Sequence, residues 1–355
     1  MRKTELYRQL LKEKGVDALL LTSLLNRRYA AGYHISDGIA MIAEGECCYF
    51  TDSRYTEAAQ KYLLDFTVIE VDRTVTYLHR IGEFIGRNRV KTLGIEEGSM
   101  TAADYCSYRD SLQAELLPMQ KEISAFRMVK APWELDAIRA AQKITDESFS
   151  EVLNIIRPGM TEKELRAELI CLMYRKGAEG LSFSPIVVSG PNTSLPHGIA
   201  GDRPLQRGDF VTMDFGCKVD GYCSDMTRTV ALGEVTEEME QVYNAVLTAQ
   251  LAGIAATKAG VPGCFVDEAA RQVIRDAGFG AYFGHGYGHG IGLAVHEAPN
   301  CNASWRDPLP VGCVCSAEPG IYLPGKFGVR IEDVVIFTED GCENITKSPK
   351  NLIIL

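Results

Sequence analysis

The sequence predicts an α/β (α+β) protein of two domains, and three observations carry the prediction. At 355 residues the chain is long for a single hydrophobic core. Helical and strand-length segments alternate through the first 130 residues, the pattern of an α/β layer. Beyond Pro132, two long amphipathic segments lead into a hairpin centred on Asp220-Gly221. Val129, Lys130 and Ala131 before Pro132 mark the boundary, giving domains 1–130 and 131–355.

In the first domain, residues 4–14 have helical periodicity and end at Gly15. Ala18 to Thr22 is an apolar run of strand length. Gly38–Ala43 and Cys48–Thr51 form a strand pair about Glu44-Gly45. Residues 53–63 and 76–87 are expected helices, and Thr92–Ile95 a further strand. Tyr33 to Asp37 is a polar loop, in which His34 and Asp37 are weighed as functional against ordinary solvated residues.

In the second domain, Pro132 suits the first helical turn and Glu134 the acid-favouring position beside it. A helix is expected over 133–156, stopped by Pro158-Gly159. Thr161 and Glu164 form a capping box that opens a second helix through Lys176. The turn at Arg157-Pro158-Gly159 has a weak echo at Lys258-Ala259-Gly260, each leading into a helix with acidic residues near its start. The echo suggests an internal duplication.

The hairpin spans residues 209–229. Asp-Gly between apolar runs favours a type I′ turn, which needs φ > 0 at both central residues. That turn sets the register: Val219 opposite Tyr222, Gly216 opposite Asp225, Asp214 opposite Thr227. Asp214 and Asp225 then share a face as diagonal neighbours, roughly 7–8 Å apart at the backbone. A solvated outer face would explain them, and so would a site.

Composition narrows the partners. Apolar residues make up 46% and charged residues 24%, with a formal charge of −10 and no Lys/Arg run. This argues against nucleic acid or an anionic membrane as partner. The 11 cysteines are scattered, without a C-x-x-C pair, which fits a reduced, cytoplasmic compartment. No run of 18 apolar residues occurs and the first residues lack an apolar signal core, so a soluble, non-exported protein is expected.

After the hairpin, acids and histidines cluster. His285 and His289 sit in the glycine-dense stretch 284–292, followed by His296-Glu297, Glu318 before Pro319-Gly320, and an apolar strand over 328–337 holding Arg330, Glu332 and Asp333. His197 lies in a loop upstream. Were Asp214, Asp225, Glu318 and Glu332 to converge, like charges at 4 Å would repel by about 4 kcal/mol per pair. Several such pairs rival a domain's whole stability of about 5–15 kcal/mol. Cations would have to hold them, and an oxygen-rich set with His suits Mn²⁺, Co²⁺, Fe²⁺ or Zn²⁺.

These segments resemble the creatinase/prolidase/methionine-aminopeptidase family (M24), with its pita-bread fold, and within it the Xaa-Pro aminopeptidase and prolidase branch. The resemblance rests on Pro196-His197-Gly198, Met213-Asp214-Phe215-Gly216, Gly221 to Thr229, Gly288 to Gly292, Val295-His296-Glu297, Ala317 to Gly320 and Val329 to Asp333. Residues 1–130 are more loosely similar to the creatinase/prolidase-type N-terminal domain, best at Ser36-Asp37-Gly38 and Asp52 to Tyr55. The resemblance implies two divalent ions per subunit, manganese foremost, with cobalt, zinc or iron as alternatives. Asp214, Asp225, His289, Glu318 and Glu332 would be ligands, with Glu318 also a proton shuttle. His197 and His296 would stabilise the carbonyl oxygen and bind substrate. Arg330 would hold the charge balance or the substrate's carboxyl end. The implied activity is cleavage before a proline in second position, by a homodimer whose 33–37 loop caps the neighbouring subunit's site. Alternatives are a prolidase restricted to Xaa-Pro dipeptides and a non-catalytic binding protein on the same fold.

Overall fold

A computed structural model describes residues 2–355. The chain divides into two compact units, Met1–Arg127 and Met128–Leu355.

The first unit runs α1 (Lys3–Lys14), β1 (Ala18–Leu21), α2 (Leu24–Ala31), β2 (Ile39–Ala43), β3 (Cys47–Asp52), α3 (Thr56–Tyr62), β4 (Thr67–Val71), α4 (Tyr77–Asn88), β5 (Thr92–Ile95), α5 (Ala102–Ser111), β6 (Glu115–Pro118) and α6 (Gln120–Ala125). Its strands form one mixed sheet in the order β4-β3-β2-β1-β5-β6. Every residue of central β1 is buried, so it is a continuous apolar run without alternation. The 33–37 loop follows α2, a helix not set out in the sequence reading. Tyr33, His34 and Ser36 are exposed, but Ile35 is buried. The buried Arg27 guanidinium donates to the carbonyls of Ile35 and Ser36, which fixes the loop's base.

The second unit opens with α7 (Pro132–Val152) and α8 (Glu162–Arg175). Glu134 accepts from the Ala131 N–H at 2.7 Å, and Thr161 and Glu164 make the expected capping box. Then follow β7 (Gly180–Leu181), β8 (Ile186–Ser189), β9 (Asp209–Phe215), β10 (Cys217–Val219), β11 (Tyr222–Cys223) and β12 (Met226–Leu232). A second helix pair, α9 (Glu237–Ala256) and α10 (Gly263–Asp276), precedes β13 (Gly288–Gly290), β14 (Glu297–Cys301), β15 (Val314–Ala317), β16 (Gly320–Leu323), β17 (Phe327–Arg330), β18 (Asp333–Phe337) and β19 (Cys342–Asn344).

The unit has two halves of like construction. One core joins α7 and α8 (Phe149, Leu165, Leu169) to Val187, Met213, Phe215 and Val230 of β8, β9 and β12. The other joins α9 and α10 (Val242, Val246, Ala270, Ile274) to Cys315, Ile321, Val329 and Val335. The two echoed turns stand at corresponding places, before α8 and before α10.

The hairpin has the expected turn and register. Asp220 and Gly221 lie at φ 49° and 76°, Val219 pairs with Tyr222 and Asp214 with Thr227. It is split between two sheets, however, with the base (β9 and β12) in one and the tip (β10 and β11) in another. The strand expected over 328–337 is likewise two. β17 pairs with β16, β18 with β15 and β19, and Ile331-Glu332 is the break. The physical cause is Asp333. Its fully buried carboxylate is held by Arg228 (2.7 Å), Gln250 (3.0 Å), Asn344 (2.6 Å) and Lys350 (2.8 Å), and this anchor starts β18 in a new direction.

Candidate active site

One face of the β9–β12 ladder belongs to the first half's core through Met213 and Phe215. The opposite face carries Asp214 and Thr227, by the period-two alternation of a strand. Strands of the second half cover that opposite face: the Glu332 N–H donates to the Thr227 carbonyl, and Thr229 Oγ1 donates to the Arg330 carbonyl. Asp214 and Asp225 are therefore buried, and the solvated-face alternative is excluded.

A cavity of about 530 Å³ lies between the halves. Among its walls are all eight residues singled out from sequence: His197, Asp214, Asp225, His289, His296, Glu318, Arg330 and Glu332. His289 arrives on β13, where the register shifts between His289 and Gly290 and so redirects the side chain. Gly288 permits this, because a Cβ there would meet the Ser316 carbonyl oxygen at 2.0 Å.

The internal contacts divide the site. Ligand-type atoms of Asp225, His289 and Glu332 lie within 4.8 Å of one another. His289 Nε2 is 3.2 Å from Glu318 Oε1 and 3.7 Å from Asp225 Oδ2. Ser316 Oγ accepts from the His289 N–H (2.9 Å) and donates to Glu318 (3.0 Å). Asp214 stands apart from this group, with its Oδ2 taken by the Arg330 guanidinium at 2.6 Å. Arg330 also donates to Thr227 Oγ1 (3.0 Å), the Tyr322 hydroxyl (2.9 Å) and the Pro196 carbonyl (3.3 Å). Thr227 Oγ1 in turn donates to Glu332 Oε2 at 2.7 Å. The rings of His289 and His296 meet edge-on, 4.0 Å apart.

Electrostatics follow from this crowding. Burial, and then the charges of Glu332, Asp214 and Glu318, push the Asp225 carboxyl well up. Burial with Glu318 and Asp214 does the same to Glu332. Burial raises Asp214 as well, opposed by Arg330. Burial alone would lower His289, but its hydrogen bond to Glu318 and the charges of Glu318 and Glu332 bring it up to about 9. Against the cost of burial, that same contact brings Glu318 down to about 2. His296 is lowered by burial and by neighbouring His289. Asp214 Oδ1 and Asp225 Oδ1 are buried without a hydrogen-bond partner among the described residues. Acids that resist ionisation, with orphaned oxygens turned into a cavity, are a donor set suited to a divalent cation.

Two further residues belong to the site, His285 in the cavity wall and Thr227 through its bonds to Glu332 and Arg330. His285, seen only as one of the glycine-stretch histidines, accepts from the Tyr322 hydroxyl at 2.9 Å while its Nδ1 donates to the Gly286 carbonyl. Burial lowers its basicity. Thr227 was placed opposite Asp214 by the hairpin register, and that signal alone could have put it in the site.

Comparison with known proteins agrees with this construction. The model of metallopeptidase family M24 matches residues 136–339, and that of the creatinase/prolidase N-terminal domain matches residues 4–129. An uncharacterized peptidase of Bacillus subtilis is 40% identical over 99% of this chain and 100% of its own. A solved Xaa-Pro dipeptidase from Bacillus anthracis superposes with a TM-score of 0.96 at 39% identity, over 99% of both chains. A solved X-Pro aminopeptidase from Thermotoga maritima does so with a TM-score of 0.93 at 38% identity, over the whole of both.

Proposed function

This chain belongs to metallopeptidase family M24, and from that premise we propose that it is a dinuclear-metal Xaa-Pro aminopeptidase, releasing the residue that precedes an N-terminal proline bond. The observation that carries the reading is the meeting of four carboxylates and four histidines in one cavity, with Asp214 Oδ1 and Asp225 Oδ1 buried and without a hydrogen-bond partner among the described residues. Asp214, Asp225, His289, Glu318 and Glu332 would hold the two ions. The oxygen-rich set favours manganese, with cobalt, zinc and iron as competitors. When bound, the ions supply Lewis acidity for peptide hydrolysis.

The chain's own groups have separable tasks in this reading. Glu318, backed by Ser316, holds and returns a proton at its carboxylate. His197 and His296 line the same cavity, and their ring N–H groups donate to the scissile carbonyl oxygen. His296 is suited to this as a neutral donor, since burial and His289 keep its basicity low. Arg330 fixes Asp214 and, with Tyr322 and the Pro196 carbonyl, closes the side where the residue after the scissile bond lies. The enzyme acts in the cytoplasm as a homodimer, and the exposed tip of the 33–37 loop reaches the partner subunit's site and limits peptide length.

A dipeptide-only prolidase is the second reading, favoured by the likeness to an Xaa-Pro dipeptidase. The test compares Ala-Pro, Ala-Pro-Ala and Ala-Ala-Ala on metal-free protein and after adding Mn²⁺ or Co²⁺. Metal-dependent cleavage of Ala-Pro-Ala, with little on Ala-Ala-Ala, is expected. Cleavage of Ala-Pro alone selects the prolidase, equal rates on both tripeptides select a general aminopeptidase, and full activity in protein shown metal-free by elemental analysis overturns the metal assignment.

A further inference from the structure

Behind the loop that presents His197 lies a fully buried carboxylate with no part in the chemistry above. Glu162 is the first residue of α8 and has no solvent exposure. Its Oε1 accepts from the Ser189 N–H (2.7 Å), the Ser189 hydroxyl (2.9 Å) and Asn192 Nδ2 (3.0 Å). Its Oε2 accepts from the Gly201 N–H at 2.9 Å. Ser189 and Gly201 bracket the loop that carries His197, so one side chain ties down both of its ends. We propose that Glu162 is a positioning residue for His197, acting through the two ends of this loop.

The chemistry requires a carboxylate. Four donors converge on two oxygens, and only an ionised carboxyl accepts on both without offering a donor of its own. Its burial is offset locally. The α8 N-terminus favours negative charge, and Arg203 reaches the same group through Ser189 Oγ (2.6 Å) while pairing with Asp209 (2.6 Å). The middle of the loop is held separately: Thr193 Oγ1 accepts from the Gly328 N–H at 2.8 Å, and the Pro196 carbonyl accepts from Arg330. His197 itself is exposed, with exposed Leu195 and Ile199 on either side, so its place is set by these anchors rather than by packing around the ring. A group that must meet a developing charge loses roughly a hundredfold in rate for a displacement of about 1 Å.

The inference rests on the proposed contact between His197 and substrate, and the experiment separates the two. In Glu162→Gln the amide NH₂ opposes a donor whichever way it turns, releasing one end of the loop with no change in size. kcat/KM on a proline-second tripeptide is measured for wild type, E162Q, H197A and the double variant, with Mn²⁺ stoichiometry measured alongside. E162Q should lower kcat/KM by roughly ten- to a hundredfold at unchanged Mn²⁺ content. In the H197A background the same change should have little further effect. A full multiplicative loss in that background, or E162Q within twofold of wild type, overturns the positioning role. H197A at wild-type kcat/KM overturns the substrate contact and the positioning role together. If E162Q does not fold by circular dichroism, the cycle is run with Asn192→Ala, which removes a single donor, and the same outcomes decide.

Discussion

Removing the metal should make the second unit lose stability as pH rises above neutrality, and His289 sets the size of the effect. Its folded-state pKa is raised from 6.5 to about 9. A histidine raised on folding contributes stability that is fully present below about 6.5 and is lost as pH rises through about 9. The shift corresponds to about 3 kcal/mol. The lowered Glu318 is the same contact seen from its partner and is counted once. Its own window lies between 4.5 and about 2, outside the range considered. Asp225 and Glu332 are raised on folding, so above the unfolded value of about 4 they also make the metal-free protein less stable as pH rises. For a unit of this size, about 3 kcal/mol moves Tm by roughly 6–12 °C. Both tryptophans, Trp133 and Trp305, lie in the second unit, so their fluorescence follows its melting. Metal-free protein should lose that much Tm across the window, Mn²⁺-loaded protein should not, and His289→Asn should flatten the metal-free slope. A metal-free Tm that holds steady or rises from pH 6.5 to 9, or a slope that His289→Asn leaves unchanged, refutes the reasoning.

Other outcomes follow from named contacts. Asp225→Asn should lower metal content and turnover by several orders of magnitude while raising the metal-free Tm near pH 8, because the amide no longer resists burial as a charge; elemental analysis and melting curves check both halves of this statement. Glu297→Ala should cost about 3–5 kcal/mol in urea unfolding, because it leaves Lys130, whose ion pair with Glu297 is nearly solvent-free, as a lone buried charge, and adding Lys130→Met should recover much of the loss. Shortening the 33–37 loop should raise the ratio of long-peptide to dipeptide cleavage without changing metal content; an unchanged ratio, or a fully active monomer on sedimentation, removes the capping role.

The site was legible where local chemistry dictates geometry. Asp220-Gly221 fixes the turn, the turn fixes the register, and the register places Asp214 beside Thr227. Other features depend on residues remote in the chain. The adjacent Glu332-Asp333 pair interrupts the apolar alternation of Val329 and Ile331, but it does not by itself say where the chain turns. The break is made by Arg228, Gln250, Asn344 and Lys350 converging on Asp333. Arg330 and Glu332 reach one cavity as expected, but Arg330 from the end of β17 and Glu332 from the break that follows it rather than from one continuous strand. The function of Glu162 was masked by its setting, because within Thr161-Glu162-Lys163-Glu164 it reads as one more first-turn acid of a capped helix. Its partners Ser189 and Gly201 come from sequence-distant segments, so the capping motif accounts for Glu164 and leaves Glu162 unexplained.

The division of the cavity between two halves has a consequence for the order of events during folding. Asp214 and Asp225 come from the first half of the unit, and His289, Glu318 and Glu332 from the second. One of the contacts that join them, Thr227 to Glu332, spans 105 positions of chain. A loop of that length closes late, after local helix pairs and hairpins have formed. Neither half alone presents the whole of the proposed ligand set, so on this reading a divalent ion binds fully only once the two have docked. Metal would then leave the folding rate nearly unchanged and slow unfolding instead, acting as a latch on the finished protein rather than as a template for making it.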